Sequence, residues 1–188
     1  MTEVAFELIK TGHTIPDYIS KDGTTILIWA CQKGLIKVAL ELIKTGHFNP
    51  EQVNNHGYTA LIWACQNRMT EVALELIKTG HIKLDHIDKN GNTVIMLVCD
   101  QYTEEVALEL IKTGHVKYEQ VNKDDNTVLL QACYYKMQEV ALELIKTGKS
   151  KPDHIDKFGY TALIWACRNK MKEVALELIK MGHAKPEH

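Results

Sequence analysis

The chain has 188 residues, of which 45% are apolar and 24% charged, an ordinary balance for a globular protein. Its formal net charge is −2 and it has no basic block, so nucleic acid is a poor candidate partner. No apolar run approaches the ~20 residues of a membrane-spanning helix, and the first residues lack the basic and apolar segments of a signal peptide. We therefore expect neither nucleic acid nor a membrane as a partner.

A period of 34 residues runs through the whole chain. Glycine recurs once per period, at Gly12, Gly46, Gly80, Gly114, Gly148 and Gly182. A fixed period of this length indicates one supersecondary unit that is copied and stacked. We predict a single domain, residues 1–188, made of a leading half repeat at 1–19 and repeats at about 20–53, 54–87, 88–121, 122–155 and 156–188.

Within the last complete unit, the residue types predict a turn, a short helix and a longer helix in that order. Gly159 suits a turn position with positive φ, and Thr161 suits the cap of a helix over Ala162–Cys167. A second helix is predicted over about Lys172–Lys180, because its apolar residues follow the i, i+1, i+4, i+5 spacing of one helical stripe. Gly182 is the expected left-handed stop.

The connector that joins successive units varies most but keeps a common skeleton. An aliphatic residue, predicted to anchor the connector on the stack, recurs as Ile19, Val53, Ile87, Val121 and Ile155. The polar residues that follow it predict a tight turn. In the fourth repeat Asp125 replaces the turn glycine, and aspartate tolerates positive φ. Both a β-hairpin and a short helical turn are compatible with the connector sequence.

Each complete repeat carries one cysteine at the same position, as Cys31, Cys65, Cys99, Cys133 and Cys167. Stacked helices lie roughly 8–10 Å apart, whereas the Cα atoms of a disulfide lie within about 7 Å, so equivalent cysteines are not expected to pair. Their spacing also offers no cluster of zinc ligands. We expect five buried free thiols, which are typical of a reducing, intracellular location such as the cytoplasm.

The residues of the repeat resemble those of the ankyrin family. Gly57-Tyr-Thr-Ala-Leu-Ile-Trp-Ala-Cys65 is similar to the ankyrin signature Gly-x-Thr-Pro-Leu-His-x-Ala-Ala, and Val72-Ala-Leu-Glu-Leu-Ile-Lys-Thr-Gly80 to Val-x-x-Leu-Leu-x-x-Gly. Tetratricopeptide repeats have the same length, but their Trp-Leu-Gly-Tyr pattern is absent. The resemblance implies an all-α, ankyrin-like solenoid of stacked helix-turn-helix repeats with finger-like connecting loops.

The chain departs from the family pattern at the histidine that ties neighbouring turns together by hydrogen bonds. That position holds Ile28, Ile62, Met96, Leu130 and Ile164. An aliphatic residue has no hydrogen-bonding group, so we expect packing to hold these turns in place.

The resemblance implies a non-catalytic protein-protein interaction module that binds another protein in a concave groove. Catalytic groups are normally singular, whereas the candidates here recur in every unit, so we expect no enzyme activity and no catalytic residue. We also expect no cofactor and no metal. The alternative is a structural scaffold, or a self-associating segment of a longer array, in which uncapped ends make the contacts.

The variable positions of the repeat are the predicted partner-binding residues. At the ends of the first helices they are Gln32, Lys33, Gln66, Asn67, Asp100, Gln101, Tyr134, Tyr135, Arg168 and Asn169. On the fingers they are His56, Tyr58, Asn90, Asn92, Asp124, Asn126, Phe158 and Tyr160. The tyrosine pair is the predicted centre of the contact, because tyrosines are common at interface hot spots. The competing interpretations are neutral drift on a solvated face and a tyrosine that packs under the next finger.

Three tryptophans share one position of the first helix, as Trp29, Trp63 and Trp165, with Leu97 and Gln131 in the other repeats. Their helical setting favours residues of the core or of the groove edge. Because Gln131 is polar, we expect this row to be about half buried.

Overall fold

The computed structural model describes residues 18–46, 48–81, 84–100 and 103–182. The packing of its helices divides the chain into two compact units, the N-terminal unit (Met1–Lys83) and the C-terminal unit (Leu84–His188). The regular structure of the described residues consists of ten helices, with isolated antiparallel bridges at Ile19–Thr25 and Ile87–Thr93. The all-α prediction is confirmed, and the prediction of a single domain over 1–188 stays a prediction.

The described part of the N-terminal unit contains two helix pairs. Its helices are α1 (Ile26–Gln32), α2 (Ile36–Thr45), α3 (Ala60–Gln66) and α4 (Thr70–Lys78). The two helices of each pair pack together, α1 packs on α3, and α2 packs on α4. Short first helices therefore form one layer of the unit and longer second helices form the other.

The described part of the C-terminal unit contains three helix pairs with the same arrangement. Its helices are α5 (Val94–Asp100), α6 (Glu104–Lys112), α7 (Val128–Tyr134), α8 (Gln138–Lys146), α9 (Ala162–Arg168) and α10 (Lys172–Lys180). The first helices α5, α7 and α9 pack in sequence, and so do the second helices α6, α8 and α10. The second helix predicted over Lys172–Lys180 has these bounds in the structure.

Threonine starts the first helices as predicted. The Thr161 hydroxyl accepts a hydrogen bond from the backbone N–H of Ile164 at 3.4 Å, and Thr127 does the same for Leu130 at 3.3 Å. Each bond satisfies one of the four N–H groups that a helix leaves open at its N-terminus. A fixed start orients the short apolar helix between its neighbours.

The second helices carry the predicted apolar stripe. In α8 it consists of Val140, Ala141, Leu144 and Ile145, all of which are buried. On the outer face of α8, Glu143 pairs with Lys146 at 3.2 Å, an exposed contact that adds little stability. The stripe therefore supplies most of the stabilising burial in this layer.

The connectors contain the predicted tight turn, and its centre is a buried polar side chain. Asp156 Oδ1 accepts hydrogen bonds from the backbone N–H groups of Phe158 at 2.8 Å and Tyr160 at 2.9 Å. The predicted hydrophobic anchor before it is wrong at two places, because Ile19 is 50% exposed and Ile155 46% exposed. A network of hydrogen bonds, rather than an apolar contact, fixes the turn at these places.

Backbone hydrogen bonds link successive fingers of the C-terminal unit. The N–H of Lys123 donates to the carbonyl of Asn90 at 2.8 Å, and the N–H of Lys157 donates to the carbonyl of Asp124 at 3.3 Å. Asp125 has φ 57°, as expected for a substitute of the turn glycine. Behind the fingers, the aliphatic residues in place of the family histidine are buried at Ile28, Ile62, Met96 and Leu130.

The prediction of five buried cysteines holds for four of them. Cys31, Cys65, Cys99 and Cys133 are buried, whereas Cys167 is exposed. Cys133 lies in α7, which packs on both α5 and α9, whereas Cys167 lies in α9, which packs chiefly on α7 and α10 among the described helices. Burial raises the pKa of Cys31 and Cys133 to about 12, so these thiols are protonated and unreactive at neutral pH.

Leu144→Ala is expected to lower the free energy of unfolding by about 2–5 kcal/mol, because Leu144 is 0% exposed and its removal leaves a cavity. Urea denaturation followed by circular dichroism measures the change. Leu176→Ala is the matched control on α10, where the leucine is 46% exposed, and it should cost less than about 1 kcal/mol. Equal effects of the two substitutions would contradict the assignment of the buried stripe.

Cys167 should react with a thiol reagent under native conditions at least about 100-fold faster than the four buried cysteines, whose labelling requires local opening. Stopped-flow labelling with a chromogenic disulfide should show one fast equivalent, and five equivalents after denaturation. Cys167→Ser is expected to remove the fast phase alone. Several fast equivalents in the native protein would show that the first-helix layer is packed differently.

Candidate functional site

An open groove of about 620 Å³ lies in the C-terminal unit, between its fingers and the ends of its first helices. Eight predicted partner-binding residues line it: Asn90, Asn92, Asp100, Asp124, Asn126, Tyr134, Tyr135 and Phe158. The structure therefore brings together side chains that lie up to 68 residues apart in the sequence. It does so because each repeat contributes residues from its finger and from its first helix to the same surface. We call this surface the C-terminal groove.

An aromatic cluster forms one wall of the C-terminal groove. Tyr134 is 47% exposed, and its ring lies edge-to-face against Tyr135 and against Trp165, with centroids 4.8 Å apart in both pairs. Trp165 makes a third such contact with Tyr160 at 5.1 Å. Edge-to-face contacts are attractive and directional, so they hold Tyr134 in one orientation while leaving half of it open to solvent.

A hydrogen bond and a neighbouring cation set the orientation of Trp165. Its indole Nε1–H donates a hydrogen bond of 2.7 Å to Asp156 Oδ2. The guanidinium of Arg168 lies 5.5 Å from the Trp165 ring centroid and 5.1 Å from that of Tyr160, within the range of cation–π attraction. Arg168 and Tyr160, both predicted as contact residues, thus support the tryptophan from outside the groove lining.

Asp100 and Gln131 form the polar floor of the groove. Gln131 is only 6% exposed, and its Nε2 donates a hydrogen bond of 3.1 Å to Asp100 Oδ1. Its Oε1 is buried and has no hydrogen-bond partner within the part of the chain that the structure describes. The prediction that Gln131 marks a half-buried row is wrong at this residue, because its amide is covered between neighbouring repeats where it meets Asp100.

The protonation of Asp100 reflects its position in the floor. Burial, which disfavours the charged form, raises the pKa of this carboxyl to about 6. A hydrogen bond from the Tyr135 side chain opposes the rise, whereas the carboxylates of Asp88 and Asp124 add to it. Asp100 is therefore mostly ionised at neutral pH, at a site where its charge is poorly compensated.

The fingers carry an ion pair at the rim. Lys157 Nζ lies 2.6 Å from Asp124 Oδ1 and 5.1 Å from the ring centroid of Phe158, which is 62% exposed. The lysine charge is thus shared between a carboxylate and an aromatic face. An exposed phenylalanine at the rim extends the apolar surface beyond the tyrosine cluster.

Three predicted contact residues have side-chain amides that form hydrogen bonds within the chain. Asn169 Nδ2 donates to the carbonyls of Cys133 and Tyr134 at 2.8 and 3.0 Å, which satisfies the end of α7. Asn67 Nδ2 does the same for Cys31 and Gln32 at 2.8 and 3.2 Å. Asn92 is 8% exposed and bonded to Asp88 and Asn122. A structural role accounts for all three.

The N-terminal unit presents the other predicted positions on a surface of its own. His56 and Lys33 are exposed, Gln32 and Gln66 are half-buried, and Lys33 Nζ lies 5.8 Å from the ring centroid of Trp29. Tyr58 packs edge-to-face on Trp63 with centroids 5.3 Å apart, the equivalent of the Tyr160–Trp165 contact. Gln101 lies outside the described residues.

The indole of Trp63 differs from that of Trp165 in one respect. Trp63 Nε1 is buried and has no hydrogen-bond partner among residues 18–46, 48–81, 84–100 and 103–182. Asn54 occupies the position of Asp156, and its single amide oxygen accepts from the N–H groups of His56 and Tyr58, both at 3.1 Å. The aspartate has a second oxygen for the indole, whereas the asparagine has an NH₂ group there.

Six residues that line the groove are absent from the predicted partner-binding residues, namely Asn122, Lys123, Gln131, Asp156, Lys157 and Trp165. A signal existed for Gln131, because it is the polar member of an otherwise apolar row.

No group of three or more metal-binding side chains occurs in the described part of the chain. None of the described helices is long and apolar enough to cross a membrane.

A family model described as ankyrin repeats (3 copies) matches residues 1–86 and 118–187. A similar chain occurs in the solved structure of the predatory endopeptidase Bd0816 from Bdellovibrio bacteriovorus in complex with immunity protein Bd3460. That likeness has a TM-score of 0.71 at 26% sequence identity and covers 95% of this chain and 96% of that chain. A search of the curated proteins finds no match. The predicted resemblance and the repeat fold are thereby confirmed.

Asp156→Asn should lower the free energy of unfolding by about 1–3 kcal/mol, because it leaves the Trp165 indole N–H without its acceptor. The reverse change, Asn54→Asp, should raise it by about 0.5–1.5 kcal/mol by supplying an acceptor to Trp63. Urea denaturation followed by tryptophan fluorescence measures both.

Asn122→Asp is the control for this pair, because its repeat has no tryptophan and Asn122 Nδ2 donates to Asn92 Oδ1 at 2.7 Å. Losing that donor should be destabilising. If Asn54→Asp and Asn122→Asp changed the free energy of unfolding in the same direction, the assignment of the indole acceptor would be refuted.

Proposed function

Because the chain belongs to the ankyrin-repeat family, we propose that it is a non-catalytic module that binds another protein through the C-terminal groove. The observation that carries this proposal is the aromatic cluster of Tyr134, Tyr135 and Trp165, held rigid and half open to solvent. Rigid aromatic side chains supply a large contact area with little loss of side-chain entropy on binding. Tyrosine and tryptophan are also enriched among the residues that dominate interface energies.

The shape and composition of the groove favour a protein over a small molecule. Small-molecule pockets are mostly enclosed and apolar, whereas this groove is open and its floor is polar. Its residues come from three fingers and three first helices, so it offers a broad surface with an aromatic wall and the Lys157–Asp124 pair at its edge. Aromatic side chains combined with a polar rim are usual in protein interfaces.

The structural neighbour supports the same class of function. That chain comes from a complex between an endopeptidase and an immunity protein, so a similar repeat fold takes part in protein binding. For the present chain we propose binding of another protein and no enzymatic activity. The proposal includes a reducing, intracellular location, supported by five free cysteine thiols of which four are buried.

Tyr134→Ala combined with Tyr135→Ala is expected to weaken binding of the partner by at least about 2 kcal/mol, or about 30-fold in Kd. The partner is isolated by pull-down from the native source, identified by mass spectrometry, purified and titrated by calorimetry. The double variant removes two edge-to-face ring pairs, each worth only about 0.5–1.5 kcal/mol, and the Tyr135 hydrogen bond to Asp100, worth about 1 kcal/mol, so circular dichroism should still show a folded variant at the assay temperature.

Tyr18→Ala is the control, because Tyr18 is 60% exposed in the N-terminal unit and outside the groove, and it should leave Kd unchanged. Lost stability with unaltered affinity in the double variant would contradict the proposal. It would also favour the structural alternative, in which the chain self-associates. The surface for that outcome consists of the half-exposed Leu176 and Ile179 of the last repeat and Ile155 just before it, and light scattering would detect concentration-dependent assembly.

A further inference from the structure

The floor of the C-terminal groove holds acceptors that the fold leaves unsatisfied. Asp100 and Gln131 line the groove beside Tyr134 and Tyr135, and these four residues define what we call the acidic corner. We propose that the acidic corner is a pocket for an arginine side chain that the protein partner inserts into the groove. This inference rests on the proposed function and names the chemistry that the same site recognises.

The first argument is the number of hydrogen-bond acceptors. A carboxylate has about four acceptor sites, and Asp100 receives hydrogen bonds from Gln131 Nε2 and from the Tyr135 side chain. The Gln131 side chain is more than nine-tenths buried, yet its Oε1 accepts no hydrogen bond from any described residue. Buried acceptors without donors are uncommon in native proteins, and a guanidinium brings five N–H donors in a fixed plane.

The second argument is charge. The charged groups that act on the Asp100 carboxyl are the carboxylates of Asp88 and Asp124, which raise its pKa further. Lys123 and Lys157 also line the groove, but neither lysine is among the groups that shift the pKa of Asp100, and Lys157 is paired with Asp124 at 2.6 Å. The partly buried corner therefore has a negative potential, and a cation that enters it gains more than it would at an exposed carboxylate.

The third argument is the aromatic wall, which favours arginine over lysine. The open half of Tyr134 stands beside the acceptors, and a planar guanidinium stacks on aromatic rings and is more weakly hydrated than an ammonium group. The chain already shows this pairing on the other side of Trp165, where Arg168 lies over the Trp165 and Tyr160 rings. The same cluster can thus accept a second guanidinium from the groove side.

The internal repeats show that stacking does not require the acidic corner. Gln32 and Gln66 occupy the position of Asp100, and Leu97 and Trp165 are among the residues at the position of Gln131. A poorly compensated carboxylate next to an unsatisfied amide oxygen is an unfavourable choice for the core, where neutral alternatives fit. Its presence in the groove indicates a ligand that satisfies both groups.

The test is a titration of the 188-residue chain with the capped tripeptide acetyl-Gly-Arg-Gly-amide at pH 7.5, followed by NMR. Binding should shift the side-chain amide signals of Gln131 and the indole N–H signal of Trp165 in a saturable manner. The lysine peptide should bind at least about 3-fold more weakly, and the glutamine peptide should cause no shift there. Equal shifts from all three peptides, or none from the arginine peptide, would overturn the inference.

Two substitutions test whether the acceptors of Asp100 and Gln131 bind the arginine peptide. Asp100→Asn keeps the shape and removes the charge, and it should weaken binding of the arginine peptide at least about 10-fold. Gln131→Leu introduces the residue of the equivalent position in the preceding repeat, Leu97, and should weaken it by about 3- to 10-fold. Glu177→Gln is the control, because it makes the same charge change on α10, where Glu177 is paired with Lys180 outside the groove.

Melting temperatures show whether Asp100 stabilises the fold rather than binds the arginine side chain. Because the pKa of Asp100 is higher in the folded chain than its ordinary value, the ionised carboxyl opposes folding as pH rises through about 6. Asp100→Asn should therefore melt at the same or a higher temperature at pH 7.5 while losing the arginine peptide. A lower melting temperature with unchanged peptide binding would assign Asp100 to the fold and overturn the inference.

The two proposals fail in different ways. If the tyrosine double variant loses the purified partner while Asp100→Asn retains both partner and peptide, the protein-binding function stands and the arginine pocket is wrong. If the arginine peptide binds the corner but the purified partner is unaffected by either variant, the partner uses another surface and the groove function is wrong. Loss of peptide and partner together in Asp100→Asn supports both.

Discussion

In four successive fingers, a single side-chain oxygen accepts two backbone N–H groups and closes the turn that leads into the first helix. The residues are Asn54, Asp88, Asn122 and Asp156. Each of these residues is 9% exposed or less, so its accepting oxygen has little access to water and would be costly to leave unpaired. This contact sets the position from which the threonine cap starts the helix. The groove wall follows from it, since its side chains lie on these turns and at the far ends of these helices.

The second terminal atom of the same side chain, an oxygen in aspartate and an NH₂ nitrogen in asparagine, determines which neighbouring group the side chain bonds. Asp156 uses its second oxygen to hold the Trp165 indole, and Asp88 uses its second oxygen to hold the Asn92 amide. Asn122 has an NH₂ group there and donates it to Asn92 instead. An exchange of asparagine for aspartate changes one oxygen into an NH₂ group and leaves the turn intact. The fold therefore tolerates such an exchange while the surface of the groove is altered by it.

The helices were predictable from the sequence because their determinants are local. The apolar stripe of Lys172–Lys180, the cap at Thr161 and the left-handed turn at Asp125 each depend on residues within a few positions. The side-chain environments depend on contacts between repeats and were not predictable in the same way. Gln131 is buried because it meets an aspartate 31 positions earlier, and the Asn169 amide bonds carbonyls 35 and 36 positions earlier. A period shows that repeats stack, but it does not show which polar atoms pair across the stack.

The pairing of polar atoms separates residues that serve the stack from residues that remain available to a partner. Asn169 has its amide hydrogens on two carbonyls of the preceding repeat, and the variability of that position is compatible with a purely structural role. Asp100 and Gln131 satisfy each other only in part, in a low-dielectric site where an unpaired charge or acceptor is unfavourable. The aromatic rings around them are fixed by contacts that do not use the open face of Tyr134. The groove is thus rigid in its apolar parts and unsatisfied in its polar parts, so a partner that supplies donors meets a surface already arranged to receive them.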